Sequence, residues 1–410
     1  MNDPSTTYPS HGKSLKVAHL ISRYLPSLGG AQVCIHNIVT QLKKKGIESV
    51  VITTTRDPFD TVYDYPVIRI SGLFFFLLIR YPRLGSLLLS WKLSSLQNTF
   101  NFDIWQVTVG YPIGIHTVKF FQRKNLPCVL RCTGEDIQVD KDIRYGYRLN
   151  PEIDRAIRET YPEFDGLVAL TDSVREEYLK INILREKIRI IPNGVSLERF
   201  SSTTSPPSLL KHYHLEKKKI LLTVGRNHPK KGYYLIPSIL EHLLVTQKDV
   251  VWIIIGKGCK GSITRFNNGI EKHIILIDQI DGRSTSDALN LPTDELLSYF
   301  KFADIFVLPT FIETFGMVLI EANAAGLPVV TSDVLGCRDV IEHNFNGLLS
   351  TPGDVKAYAQ NILSLLQDAK LYNTIHKNAL LASKKYDWHL VAEQYLKFYE
   401  DVIEHKANNI

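Results

Sequence analysis

Short apolar runs alternate with segments whose apolar positions recur every three or four residues along most of the chain. Residues 17–21 form the first run, and a helix is predicted from Gly30, with Cys34, Ile35, Ile38, Val39 and Leu42 on one face. Lys43, Lys44 and Lys45 suit its carboxyl end and Gly46 closes it. Further strands are predicted at 50–53, 67–70, 104–109, 128–131, 167–170 and 188–191. Beyond the turn Asn193-Gly194 and the Ser/Thr/Pro-rich stretch 201–208, the alternation restarts. Strands follow at 220–224, 250–255, 274–277, 305–308 and 329–331, with a helix at 235–244. This is the pattern of parallel sheets covered by helices on both faces. The expected layout is a loose tail at 1–14, a Rossmann-like half at 15–200, a linker at 201–215 and a second Rossmann-like half at 216–385. A terminal helix at 386–410 carries Trp388, Val391, Tyr395, Phe398 and Val402 on one face, which needs a partner surface, with the first half as the candidate.

The chain is organised around residues 306–326. An apolar run ends at Pro309, a short loop carries Glu313 and Gly316, and a helix starts at Met317 and stops at Gly326 and Pro328. That helix has almost no polar face, yet it contains Glu321, a carboxylate that is costly to bury without a partner. Its start should face the carboxyl edge of the sheet, where open α/β sheets take anions and ligands.

Composition narrows the function classes. With 410 residues, 44% apolar and 22% charged, the chain is an ordinary globular one of two or three domains. The balance of 48 Lys+Arg against 42 Asp+Glu, net +6, suits anionic ligands or a membrane surface and falls short of a nucleic-acid-binding signature. Five scattered cysteines point to a reducing, cytoplasmic setting without a disulfide frame. The residues before Lys16 are polar and lack the apolar core of a secretory signal.

Four loops at predicted strand ends could carry chemistry. Gly29-Gly30 follows the first strand, where glycines admit a ligand close to the backbone or simply make a turn. Gly225-Arg226, with Lys231-Gly232 behind, can neutralise a diphosphate or be solvated surface. Glu313 and Glu321 with Gly316 form the third loop, and residues 332–336 the fourth. In this conjunction the chain resembles the nucleotide-sugar glycosyltransferases of family 4, which have the GT-B fold, two such domains facing each other across a cleft. The family's pair of glutamates with seven residues between reads Glu313-TFGMVLI-Glu321, flanked by Ala303-Asp304-Ile305-Phe306-Val307-Leu308-Pro309 and Ala325-Gly326-Leu327-Pro328. Val224-Gly225-Arg226, Lys231-Gly232, Ile191-Pro192-Asn193-Gly194 and Gly29-Gly30 follow the family's order and spacing.

The resemblance implies a retaining hexosyltransferase without a cofactor or metal, taking a nucleotide-diphosphate sugar as donor and a glycan or lipid-linked acceptor in surface polysaccharide synthesis. By similarity Arg226 and Lys231 hold the leaving diphosphate, Glu321 the ribose hydroxyls and Glu313 the donor sugar. The amides of Phe315, Gly316, Met317 and Val318 lie near the phosphates, with Gly29, Gly30 and Gly225 lining the donor site. Glu313 and Glu321 would stand about 12 Å apart along an ideal helix, too far for the nucleophile pair of a retaining glycosidase, which needs about 5 Å. Front-face displacement, with the leaving phosphate helping to deprotonate the acceptor, is therefore favoured. Rival readings are an epimerase or hydrolase of the nucleotide sugar and a non-catalytic sugar-nucleotide scaffold.

The chain departs from the family after the 128–131 strand, where Thr133 stands in place of a frequent histidine. Thr133 and Asp136 become candidates for the sugar or acceptor side, and His116 a further one. Three weaker patterns compete. Gly256–Gly261 fits G-x-G-x-x-G with Asp278 beyond, but Asn267-Asn268-Gly269 leaves the following helix too short for a dinucleotide site. Asp140-Lys141-Asp142 mimics a metal-binding D-x-D, and Cys128 with Cys132 a partial zinc pattern. Finally, residues 73–93 mix Phe, Leu and Trp with Arg80, Arg83 and Lys92. The stretch reads either as core helix and strand or as a peripheral contact with an anionic membrane at its inner face; its longest apolar run cannot span a bilayer, which takes about 20 residues.

Overall fold

Two parallel sheets frame the computed structural model, which describes residues 14–58, 61–204, 211–261, 269–280 and 289–408. The first contains β1 (Lys16–Ile21), β2 (Glu48–Thr53), β3 (Val67–Arg69), β4 (Ile104–Thr108), β5 (Cys128–Arg131), β6 (Gly166–Ala169) and β7 (Ile188–Ile190), in the order β3-β2-β1-β4-β5-β6-β7. The second contains β8 (Lys219–Val224), β9 (Val250–Ile255), β10 (Ile274–Ile277), β11 (Ile305–Leu308), β12 (Val329–Ser332) and β13 (Gly347–Ser350), in the order β10-β9-β8-β11-β12-β13. All the strand pairs within the sheets are parallel. Runs such as Val-Val-Trp-Ile-Ile-Ile in β9, buried throughout, are what strands covered on both faces require.

The strand order reverses between β1 and β4 in one sheet and between β8 and β11 in the other. Connections leave those neighbouring strands toward opposite faces, so a crevice opens at their carboxyl ends. The four loops flanking the two reversal points therefore set the site: those after β1 and β4 in the first half, and those after β8 and β11 in the second.

The structure corrects the sequence reading at several places. β13 was not expected, because a four-residue edge strand beginning with glycine carries little pattern. Val109 takes φ +69° instead of extending β4, an unusual conformation for a β-branched residue. Residues 73–93 contain no strand; they form the helices Leu73–Arg80 and Pro82–Phe100. Of the expected linker, residues 201–202 finish the helix Leu197–Ser202 and 205–210 lie outside the described residues, as do 1–13 of the expected tail. The terminal helix Trp388–Asn408 packs on the first half. Its Tyr395 hydroxyl accepts from Arg131 Nε at 3.0 Å, its Tyr399 hydroxyl donates to Gln106 at 2.5 Å, and Lys406 pairs with Asp165 at 2.9 Å.

Candidate active site

β8 ends into Gly225, whose φ of +155° and carbonyl bond to the Tyr233 hydroxyl (2.8 Å) turn the chain toward the crevice. Arg226 follows and is exposed. The turn Pro229–Lys231 closes on Gly232 at φ +64°, where a Cβ would lie 2.0 Å from the Pro309 carbonyl oxygen, so only glycine fits. The Lys230 carbonyl accepts from Phe311 N at 2.7 Å and from Thr310 Oγ1 at 2.8 Å, tying the loop after β8 to the loop after β11. This seam brings Lys231 onto Glu313 as an ion pair, with side chains only 12% and 8% exposed.

Four basic groups meet here. Burial lowers the pKa of His228, and the charges of Arg226, Lys230 and Lys231 lower it further, against an opposing pull from Glu135. Lys230 is buried, lies 4.7 Å from the centre of the Tyr145 ring and donates to its hydroxyl at 3.3 Å, reaching into the first half. Sequence reasoning singled out Arg226 and Lys231; it missed His228 and Lys230, although four basic residues within the six positions 226–231 are a readable signal.

The helix Met317–Ala324 begins at Gly316, φ +75°, and no side chain caps its start. Its first amides and the positive end of its dipole remain available to an anion. Phe315 sends its ring against Tyr386, centroids 5.6 Å apart, leaving its backbone to the site. Glu313 precedes the helix, so the spacing of about 12 Å expected from helical rise does not describe the pair. Burial would raise the Glu313 pKa, but Lys231 and Lys230, with hydrogen bonds from Lys231 and Thr310, outweigh it and hold the carboxyl below its ordinary value. Glu321 is the reverse: burial pushes it up to about 7, opposed only by Arg199, and among the described residues its carboxylate has no hydrogen-bond partner. From the fourth loop, Gly336 presses so closely that a Cβ there would stand 2.2 Å from the Glu313 carbonyl oxygen.

The first half meets this cluster directly. Cys34 Sγ is 3.1 Å from Met317 Sδ, and a Cβ on Gly30 would lie 3.7 Å from the same sulfur, so Gly29-Gly30 abuts the helix mouth. Gly29 itself is extended, φ −174°, and needs no glycine for conformation. Gln138 Nε2 donates to the Glu313 carbonyl at 2.8 Å and its Oε1 accepts from Thr314 at 2.6 Å, a cross-half contact that no sequence signal marks.

The remaining candidates divide. Asp136 is turned away from any ligand: its carboxylate accepts from the amides of Gly110 (2.8 Å), Thr133 (2.9 Å) and Gly134 (2.9 Å) and organises two loops. Its neighbour Glu135, which the sequence reading passed over, is the half-buried carboxylate facing the crevice. Thr133 is half-buried in the same loop. His116 does not reach the site; its Nδ1 bonds Ser86 Oγ at 2.9 Å, against the helix Pro82–Phe100. Asp140 accepts from Asp142 N and Ile143 N in a self-capped turn. Asp278 accepts from Gly258 N at 3.0 Å, and residues 262–268, part of the stretch whose sequence predicts too short a crossover helix, lie outside the described residues. Cys128 and Cys132 are buried thiols whose pKa values burial raises.

The two halves match separate family descriptions: residues 28–199 match Glycosyltransferase Family 4 and residues 210–381 match Glycosyl transferases group 1. The chain is similar to the phosphatidyl-myo-inositol mannosyltransferase of Mycobacterium leprae, 30% identical over 248 residues, which are 60% of this chain and 62% of that protein. It is also similar to the N,N'-diacetylbacillosaminyl-diphospho-undecaprenol alpha-1,3-N-acetylgalactosaminyltransferase of Campylobacter jejuni, 26% identical over 247 residues, 58% of this chain and 60% of that protein. The chain thus matches only 60% to 62% of the length of these curated relatives. In fold it is similar to the Anabaena protein HepE crystallised with UDP, with TM-score 0.73 and 19% identity over 94% of this chain and 100% of that one. A trehalose-6-phosphate protein of E. coli bound with UDP-2-fluoro glucose gives TM-score 0.69 and 16% identity over 95% and 99%. At these identities the likeness concerns the fold.

Proposed function

The chain belongs to glycosyltransferase family 4, of the GT-B fold, and from that premise we propose that it is a retaining hexosyltransferase using a nucleotide-diphosphate sugar and a lipid-linked glycan acceptor at the inner face of a membrane. The observation that carries the reading is the seam that sets Lys231 on Glu313, just ahead of the uncapped start of the helix bearing Glu321, with Arg226, His228 and Lys230 in the same basic loop. A diphosphate leaving an anomeric carbon gains negative charge, and fixed cations and helix amides aimed at it lower that barrier. Arg226, exposed and forked, clasps the diphosphate. Lys231, held by Glu313, presents a fixed positive charge. Glu321, whose carboxylate has no hydrogen-bond partner among the described residues, accepts from the ribose hydroxyls. The bond between C1 and the phosphate oxygen breaks, the acceptor oxygen bonds C1 on the same face, and the acceptor proton passes to the leaving phosphate. The cation cluster supplies the neutralisation a divalent metal would otherwise provide, so transfer is expected to persist in EDTA. HepE binds UDP and the Campylobacter relative is named for a diphospho-undecaprenol acceptor, which supports both halves of the reading.

Membrane contact is assigned to the helices Leu73–Arg80 and Pro82–Phe100. Leu78, Gly85, Leu89 and Leu93 are buried, while Phe76, Ile79, Leu87 and Trp91 are 55%, 53%, 70% and 72% exposed, with Arg80 and Arg83 among them. An apolar face of this size with a basic edge fits an anionic bilayer surface. Among the described residues no helix is long and apolar enough to cross a membrane. The test is a thermal-shift screen with UDP, GDP and ADP, followed by donor turnover. A nucleotide shift that is lost in Arg226→Ala is expected. A wild-type protein that binds none of the three, or an Arg226→Ala protein with near-normal turnover, overturns the reading.

A further inference from the structure

The first half lines the crevice with a cluster that the donor arrangement does not use. Tyr111, in the turn Gly110–Gly114 after β4, and Tyr147, in the turn Tyr147–Leu149, place their rings 5.1 Å apart at 51°. Tyr147 is 38% exposed and Tyr111 half-buried. Glu135 binds the second of these turns, its carbonyl accepting from Tyr147 N at 2.7 Å. Its carboxylate lies beside the Tyr147 hydroxyl, which burial and then that charge push up to about 12. Across the crevice the same carboxylate acts on His228, beside Arg226.

The cluster is preset. Asp136 gathers the amides of Gly110, Thr133 and Gly134, locking together the loops that carry Tyr111 and Glu135. Gly110 sits so close to Tyr161 that a Cβ would lie 2.1 Å from the hydroxyl, and Tyr161 in turn donates to the Asp136 carbonyl at 3.1 Å. Val109, at φ +69°, holds a sparsely populated conformation just before Tyr111, the kind of outlier that clusters at functional sites.

Partly exposed tyrosine rings beside a carboxylate are the chemistry that takes a pyranose, its C–H face on a ring and its hydroxyls on the oxygens. A phosphate would meet repulsion at Glu135. We propose that Tyr111, Tyr147 and Glu135 form the acceptor subsite, seating the terminal pyranose of the acceptor beside the donor cluster. Its role as acceptor rests on the transferase reading above. The helix Leu73–Arg80 packs against the turn that carries Tyr111, so the exposed apolar helices border the subsite, and a glycan hung from a lipid enters from the membrane side.

Saturation-transfer NMR on the full chain, with octyl glucoside, octyl galactoside and octyl mannoside as probes, tests this. At least one probe should show saturation of its ring protons. Tyr111→Ala, Tyr147→Ala and Glu135→Gln should each weaken that binding about tenfold, the effect of losing a charged hydrogen bond or a stacked ring. Tyr111→Phe should retain it. UDP thermal shifts on the same variants confirm that the donor half is folded. No ring signal from any probe in the wild type, or ring signals unchanged in variants that still bind UDP, overturns the subsite. If UDP fails to shift the wild type while the ring signal and its loss persist, the donor reading falls and the sugar site stands.

Discussion

The loops after β8 and β11 flank the reversal point of the second sheet, and those after β4 and β5 lie on one side of the reversal point of the first; both pairs border the same crevice, yet they use charge in opposite ways. In the second half cations outnumber their local partners: Lys230 and Lys231 act on Glu313 with Arg226 in the same loop, and among the described residues Glu321 has no hydrogen-bond partner. In the first half the buried carboxylate Asp136 is fully engaged by three backbone amides. Charge left uncompensated in the folded protein is charge kept for a ligand; charge fully compensated is scaffold. Even within the second half the rule separates two glutamates eight positions apart. Glu313 is stabilised as an anion by Lys231, while Glu321 sits in a site that favours its neutral form until something donates to it.

That contrast can be broken by substitution, and the largest effect should come from Arg226. Arg226→Ala should cut transfer by about a hundredfold to a thousandfold, as removing one transition-state donor does, while the melting temperature barely moves because the side chain is exposed. Equal losses of rate and of fold would mean that Arg226 is structural after all. Next is Asp136→Ala. Three amides lose their acceptor inside the protein, so unfolding free energy should fall by about 3 kcal/mol or more, whereas Glu135→Gln should change it by about 0.5 kcal/mol at most. Urea titrations of the two variants side by side decide whether the neighbours are scaffold and site respectively.

The two glutamates should also part in their pH dependence. Glu321 has its folded pKa raised from 4.5 to about 7, so the native state binds the extra proton and stability falls as pH rises through that window. The loss is on the order of 3 kcal/mol, and Glu321→Gln should remove the slope, melting above the wild type at pH 8 and with it at pH 4. Glu313 has a lowered folded pKa, so its contribution is present above the ordinary value of 4.5 and is lost as pH falls through the folded one. A Glu321→Gln protein that melts below the wild type at pH 8 would show that the carboxylate already has a stabilising partner. The smallest effect on the fold should come from the apolar helices. Leu87→Glu with Trp91→Glu should leave stability within about 0.5 kcal/mol per site yet abolish flotation with phosphatidylglycerol vesicles. Flotation unchanged in the double variant, or absent in the wild type, sinks the membrane contact.

Much of this was legible in the chain. Alternating apolar runs and helical periods predict two parallel sheets, because strands covered on both faces must be continuously apolar and the helices over them must be one-sided. The conjunction of Gly225-Arg226, Lys231 and the Glu313/Glu321 spacing predicts which loops gather on the second sheet, and they do meet there. Local backbone needs and composition suffice for that much. Folding alone decides the direction each side chain faces once it arrives. Whether Glu135 or Asp136 points into the crevice depends on amides of Gly110, Thr133 and Gly134 that come together only when two loops close on each other. Among the described residues Glu321 stays without a hydrogen-bond partner, and His116 turns to Ser86, for the same reason: burial and hydrogen bonding between distant segments are properties of the packed molecule, and no window of sequence contains them.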